Sequence, residues 1–126
     1  MKILLAVAAG GALGAVGRYL VATQVAHWFG TGFPFGTLAV NVIGSFVLGL
    51  LVEAMALVWS PPQELRALLV VGVLGAFTTF STFSLDVALH AERGELGLTL
   101  VYVLASVVLC IAALFAGLYL VRAVLA

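Results

Sequence analysis

Charged residues are scarce in this sequence, and their scarcity excludes an ordinary soluble domain. Only 8% of the 126 residues are charged, whereas a soluble domain carries about 25%. Hydrophobic residues make up 65% of the chain, and the mean hydropathy is +1.33. Because so few charges cannot cover a folded surface in water, the sequence predicts an integral membrane protein.

A basic surplus is also missing, as are the residue clusters that build most catalytic centres. Five Lys and Arg residues balance five Asp and Glu residues, which argues against nucleic acid as a partner. The single cysteine, Cys110, lies in an apolar run, so we interpret it as a small buried filler. Both histidines lie in or beside loops, and no nucleophile–base pair or phosphate loop is visible. We therefore predict that the chain is not an enzyme.

Four apolar stretches account for most of the chain, and each reaches the ~20 residues that a transmembrane helix needs. They cover residues 3–25, 36–59, 66–89 and 96–121. The first resembles a signal peptide, but three further apolar stretches follow it, so we interpret it as a span. The predicted fold is all-α, with residues 1–126 forming a single four-helix transmembrane domain.

The basic residues specify the orientation of the chain only weakly. With an even number of spans, one side of the membrane has Lys2, Arg66 and Arg122. The other side has Arg93, and also Arg18 if its side chain reaches out of the membrane. So small a bias allows insertion in both orientations, which permits an antiparallel homodimer. Because four helices fill their centre with side chains, we expect a conducting path to require a second subunit.

Two polar residues in the first two spans need partners, because polar groups are costly in hydrocarbon. Gly10, Gly14 and Arg18 are spaced four apart on one helix face, and we expect the glycines to pack closely against another helix. Arg18 either reaches the headgroups or draws anions. Asn41 carries two amide donors and one acceptor, so we predict that it faces a partner helix or a wet path.

The third span contains a hydroxyl-rich motif that is a poor helix former. Five of the seven residues 78–84 are Ser or Thr, which predicts a break near the bilayer centre. A continuous helix with self-bonded hydroxyls is the alternative. Phe77, Phe80 and Phe83 recur every third residue, so we expect the rings on one side, where their positive edges could face an anion.

The fourth span carries hydroxyl groups at Thr99, Tyr102 and Ser106, spaced three and four residues apart. This stripe suits a hydrogen-bonding track for a small ion, although the tyrosine could instead anchor the helix at the membrane interface. Glu53 and Asp86 lie toward the ends of their spans, so a cation or proton path with a central carboxylate is not indicated.

Taken together, these motifs resemble the Fluc (CrcB-type) fluoride channels of bacteria. The resemblance is carried by residues 10–19 (GGALGAVGRY), 36–45 (GTLAVNVIGS) and 75–84 (GAFTTFSTFS), with Tyr102 and Ser106 in the fourth span. It implies a dual-topology antiparallel homodimer in the bacterial inner membrane, with two pathways that export fluoride passively and selectively. Fluoride, the lipid bilayer and a second copy are the implied partners, and a structural, untransported Na⁺ is the implied cofactor.

The resemblance also implies roles for individual residues. The implied ion pathway comprises Arg18, Asn41, Phe80, Ser81, Thr82, Phe83, Tyr102 and Ser106. The implied sodium ligands are the backbone carbonyls of Gly75 and Thr78 in each subunit.

Two other functions fit a small four-span protein. A proton-coupled small multidrug exporter needs a carboxylate in its first span, and this first span has none. A non-transporting assembly subunit would leave Asn41 and the hydroxyl-rich motif without a purpose.

Overall fold

The computed structural model describes residues 1–125, all of whose regular elements are helical; Ala126 of the predicted domain lies outside this range. The helices are α1 (Lys2–Phe29), α2 (Phe35–Leu57), α3 (Gln63–Arg66), a π-helical segment (Ala67–Leu74), α4 (Gly75–Phe77), α5 (Ser81–Glu92) and α6 (Leu96–Leu125).

Four helical stretches are long and apolar enough to cross a membrane, which confirms the predicted spans. They are Lys2–Phe29, Phe35–Leu57, Gln63–Glu92 and Leu96–Leu125. The first runs four residues beyond the predicted end, because the helix continues through Phe29 and stops at Gly30. Gly30 has φ of 81°, a left-handed conformation that glycine adopts without steric cost.

The spans pair alternately rather than in sequence order, and glycine makes both close pairings possible. α1 packs on the π-helical segment, where a side chain at Gly10 would meet the Leu68 carbonyl and the Gly72 backbone. α2 packs on α6, where Gly49 and Gly117 lie against each other. The close packing predicted for the first-span glycines is therefore confirmed, and Gly14 makes a similar contact with Val73.

The third span is irregular over more of its length than the sequence pattern indicates. Residues Ala67–Leu74 form a π-helix, a wider turn that usually occurs in short pieces near functional sites. Three valines among these eight residues lower the preference for a regular α-helix. This widened turn leads directly into α4 and the predicted break.

Few large side chains are fully buried, and the outer surface of the bundle is apolar. Val40 and Tyr102 are completely inaccessible, whereas large apolar side chains along every span are exposed. Such a surface requires lipid or another apolar subunit around it.

An ion pair joins α2 and α6 near their C-terminal ends. Arg122 donates from Nε and Nη2 to the two carboxylate oxygens of Glu53, at 2.9 and 3.2 Å. The arginine also lies over the Tyr119 ring, with 5.3 Å between the guanidinium carbon and the ring centre. The buried Glu53 carboxylate is thereby neutralised at the edge of the bundle.

Candidate functional site

The third span is broken between α4 and α5, as predicted. Thr78 is extended, with φ of −88° and ψ of 158°, and helix resumes at Ser81. The alternative of a continuous helix is therefore wrong. The hydroxyl-rich motif is only partly irregular, because its second half, from Ser81 onward, forms the first turn of α5.

Asn41 holds the break in place through two hydrogen bonds to one residue. Its Nδ2 donates to the Thr79 carbonyl at 3.0 Å, and its Oδ1 accepts from the Thr79 N–H at 2.7 Å. The amide thus satisfies both backbone groups of a residue that has left the helix. Asn41 therefore faces the third span of its own chain. Within residues 1–125, the second Nδ2 hydrogen has no acceptor.

Side-chain oxygens accept hydrogen bonds from the backbone N–H groups that would otherwise have continued the helix through the break. The Thr79 N–H, which a regular helix directs to the Gly75 carbonyl, goes to Asn41. The Thr82 N–H, which would go to the Thr78 carbonyl, instead donates to the Thr79 hydroxyl at 3.1 Å. The carbonyls of Gly75 and Thr78 are therefore released from their usual helical donors.

The break also separates the three phenylalanines, so the prediction that they share one side is wrong for Phe77. Phe77 packs between α1 and α2, beside Gly17 and Gly44. Phe80 and Phe83 remain together, with ring centres 5.3 Å apart. The reason is the extended conformation of Thr78, which turns the chain between Phe77 and the later rings.

Phe80 and Phe83 differ sharply in exposure. Phe80 is 77% exposed, whereas Phe83 is buried and lies 5.1 Å, centre to centre, from the Tyr102 ring. The Tyr102 hydroxyl donates to Asp86 Oδ2 at 3.0 Å. Phe80 is consequently the side chain that this site presents outward, while Phe83 and Tyr102 form the wall behind it.

Three cavities lie along the bundle, and two of them adjoin the break. The break cavity, about 430 Å³, lies on the Phe80 side and is bordered by Asn41, Phe83, Ser106 and the two residues with released carbonyls. The arginine cavity, about 290 Å³, is bordered by Arg18, Thr37, Thr79 and Thr82. Thr79 borders both of these cavities, so it separates one from the other.

The third cavity, the mouth cavity, has a volume of about 270 Å³ and lies where α1 ends, α2 begins and α5 ends. Ala22 and Thr37 border both the mouth cavity and the arginine cavity. The three cavities therefore follow one another from the end of the bundle to the break.

Two of the predicted pathway residues offer hydrogen-bond donors near these cavities. Arg18 directs Nη1 toward the Thr82 hydroxyl at 3.4 Å, so the cation lies beside the break rather than among lipids. Ser106 is buried at the break cavity, and its hydroxyl finds no hydrogen-bond partner within residues 1–125. A buried hydroxyl without a partner is unusual in a folded protein and suits a site that receives a polar guest.

The hydroxyl stripe of the fourth span divides into three different environments. Thr99 donates to the Glu95 carbonyl of its own helix turn, and Tyr102 donates to Asp86. Of the three, Ser106 alone borders the break cavity. Ser81, another predicted pathway residue, lies at hydrogen-bonding distance from the Thr79 hydroxyl, 3.3 Å, on the exposed side of the break.

The sequence singled out most of these residues, but it did not reveal their hydrogen-bond partners. Thr79 joins Asn41 to the start of α5, yet nothing in the sequence distinguishes it from its neighbour Thr78. Asp86 stands toward the end of its span in the sequence, and nothing there indicates its hydrogen bond to Tyr102, which joins α5 to α6. Such long-range pairs have no sequence period that would reveal them.

Comparison with known proteins gives consistent matches along the whole chain. The model of the family described as CrcB-like protein, Camphor Resistance (CrcB), matches residues 5–118. A protein of Rhodospirillum centenum named fluoride-specific ion channel FluC is 58% identical over 126 residues, which is 100% of both chains. Proteins of the same name are 57% identical in Chelativorans sp. (99% of this chain, 100% of the relative) and in Agrobacterium fabrum (92% and 93%).

These relatives confirm two predictions made from the sequence. The resemblance to the CrcB-type proteins is borne out over nearly the full length of the chain. Ion channels are not enzymes, so the relatives also agree with the prediction of a non-enzymatic protein. The chain therefore belongs to the CrcB-like protein family and is a multi-pass bacterial membrane protein.

Proposed function

We propose that this protein is a fluoride-selective channel that exports cytoplasmic fluoride down its electrochemical gradient. The observation that carries the proposal is full-length identity of 58% to a protein named a fluoride-specific ion channel. An inside-negative membrane potential drives an anion outward by about 2.3 kcal/mol per 100 mV, so no energy-coupling site is needed. Fluoride resistance is the expected benefit to the cell.

The chemistry around the break supports a small anion as the permeating species. Asn41 has one uncommitted N–H, and Ser106 has an unpartnered hydroxyl, both at the break cavity. Phe80 and Phe83 contribute ring edges, which attract an anion without a formal charge. Neutral donors can replace the water around fluoride while still letting it leave. Chloride is larger and a weaker hydrogen-bond acceptor, so the same donors favour fluoride.

A second, inverted copy would complete the pathway. Phe80 is 77% exposed, and the break cavity lies on the same side of the bundle. A ring on this face cannot enclose an ion until another surface covers it. We infer an antiparallel homodimer with two equivalent fluoride pathways, in which Arg18, Thr82, Ser81 and Tyr102 belong to the polar lining. Tyr102 serves there as a fixed wall, since its hydroxyl donates to Asp86.

A structural sodium ion fits the residues at the break. The Gly75 and Thr78 carbonyls have lost their helical donors, which leaves two oxygens of the kind that bind alkali cations. Two carbonyls from one chain are too few to replace the water around the ion, whereas two copies facing each other would supply four. Bound there, sodium would provide positive charge that holds the two breaks together.

Fluoride efflux from liposomes that contain the purified protein tests the channel. We expect rapid fluoride efflux with much slower chloride efflux, measured with ion-selective electrodes. Phe80→Ile should lower fluoride efflux by about tenfold or more, because it removes an aromatic edge from the pathway. The control Leu4→Ile changes a 68% exposed side chain at the start of α1 and should leave efflux unchanged. Equal chloride and fluoride fluxes would refute selectivity, and unchanged flux in Phe80→Ile would remove that ring from the pathway.

A further inference from the structure

One residue lies between the two cavities beside the break. Within the part of the chain that the structure describes, Thr79 alone borders both the break cavity and the arginine cavity. On one side, the break cavity is bordered by Asn41 and Ser106, which both have donors to spare. On the other side, the arginine cavity is bordered by Arg18 and Thr82. Because the two cavities share no other lining residue, an ion that moves from one to the other passes Thr79.

The backbone of Thr79 has no donor left for such an ion. Its N–H donates to Asn41 Oδ1 at 2.7 Å, and its carbonyl accepts from Asn41 Nδ2 at 3.0 Å. These two bonds hold the residue in place from α2. A threonine carries only one further donor, the side-chain hydroxyl. The hydroxyl is therefore the group through which Thr79 can bind an anion.

The hydrogen of this hydroxyl is only weakly engaged. Thr79 Oγ1 accepts from the Thr82 N–H at 3.1 Å. It lies 3.3 Å from Ser81 Oγ, which is long compared with the usual separation of about 2.7–2.8 Å between hydroxyls. Either hydroxyl can be the donor of that pair, so the Thr79 hydrogen is free whenever Ser81 donates. Rotation about the Cβ–Oγ1 bond redirects the hydrogen while the oxygen still accepts from Thr82.

We propose that the Thr79 hydroxyl transfers fluoride between the break cavity and the arginine cavity by donating its hydrogen to the ion as the ion passes. The inference rests on the proposed fluoride channel and assigns a residue to the step between its two cavities. Fluoride accepts hydrogen bonds and cannot donate them, so a donor that rotates can follow the ion from one side to the other. The backbone stays fixed by Asn41 during this step, and the first turn of α5 keeps its bond from the Thr82 N–H.

Unitary fluoride currents in planar bilayers test the transfer step, because the current through one channel does not depend on how much protein folds. Thr79→Val keeps the shape of the side chain and removes the hydroxyl, so the unitary current should fall about tenfold or more. Thr79→Ser keeps the hydroxyl and should stay close to wild type. Thr99→Val is the matched control, since the Thr99 hydroxyl bonds the Glu95 carbonyl of its own helix and borders none of the three cavities. A wild-type unitary current in Thr79→Val would overturn the proposal.

A second variant distinguishes donation to the ion from stabilisation of α5, because valine also removes the acceptor of the Thr82 N–H. Thr79→Asp retains an acceptor that is favoured at the start of a helix, but an ionised aspartate has no hydrogen to donate and repels an anion. It should unfold in detergent near the wild-type temperature and carry no measurable fluoride current. A wild-type current in this variant would show that Thr79 only stabilises α5.

The same recordings distinguish failure of this inference from failure of the channel. A wild-type protein that passes no fluoride would refute the proposed channel itself. Fluoride currents of equal size in the wild type, Thr79→Val and Thr79→Asp would refute only the transfer by Thr79.

Discussion

At the scale of single residues, one amide determines the shape of the site. Asn41 bonds both backbone groups of Thr79, so the break is fixed by a side chain 38 residues away. Breaks in membrane helices leave polar backbone groups that lipid cannot satisfy. Asn41 removes that cost, which explains why a polar amide stands in the membrane-spanning helix α2.

Asn41→Leu tests this role and the proposed contribution of Asn41 to the pathway. The substitution leaves the Thr79 N–H and carbonyl without partners, which should cost about 1–3 kcal/mol of stability for each group that stays buried. Fluoride flux should fall below one tenth of the wild-type rate. Thermal unfolding in detergent and liposome efflux measure the two effects. Ile43→Leu, a change of shape two residues along α2, should alter neither quantity strongly.

The sequence allowed the identity of the polar residues to be predicted, but not their partners. The cost of burying an amide singles out Asn41, and weak helix propensity singles out residues 78–84. The bonds of Asn41 to Thr79, of Tyr102 to Asp86 and of Arg122 to Glu53 join residues far apart in the chain. Those pairs depend on how the helices cross, which hydropathy does not specify.

At the scale of the elements, glycine determines which helices pair. The spans were predictable because length and hydropathy alone define them. The π-helical segment was not predictable from the sequence. It is only eight residues long, which is too short for its wider turn to produce a distinct hydrophobic period. Its close contact with α1 nevertheless follows from the predicted small-residue face, since Gly10 and Gly14 lie directly against it.

Alanine substitutions at two adjacent glycines distinguish the effect of close helix packing on stability from the effect of helix propensity. An added side chain at Gly10 would collide with the Leu68 carbonyl, whereas one at Gly11 has nothing within 4 Å. Gly10→Ala should therefore lower stability by about 1–3 kcal/mol, because the backbone must move apart. Gly11→Ala should be neutral or stabilise by up to about 1 kcal/mol through higher helix propensity. Unfolding midpoints in detergent measure both, and equal effects would contradict the packing.

The ion pair between α2 and α6 predicts an asymmetry between its two partners. The Glu53 side chain is 11% exposed, and that of Arg122 is 48% exposed. Arg122→Met would leave a buried carboxylate without its cation, whereas Glu53→Gln leaves an arginine that can reach water. The arginine variant should therefore unfold at the lower temperature. If Glu53→Gln instead unfolds at the lower temperature, the Glu53 carboxylate has a partner besides Arg122.

At the scale of the whole molecule, the open face around Phe80 and the small bias of the basic residues are consistent with the proposed antiparallel homodimer. Lys2, Arg66 and Arg122 face Arg93 and Arg18 from the opposite end of the bundle, and Arg122 is already paired with Glu53. Tags on both termini should consequently be found on both sides of the membrane in whole cells and in permeabilised cells. A single fixed orientation would contradict an antiparallel homodimer of this chain.

The alternating pairing of the spans also has a consequence for how the protein is made. The first span pairs with the third and the second with the fourth, so no two consecutive spans form a finished hairpin. When the ribosome has completed the third span, the Gly49 surface of α2 still lacks the helix that covers it. Release of a nascent chain truncated after Glu92 would leave that groove open to lipid or proteases. Assembly of one subunit is therefore complete only when its last helix enters the membrane.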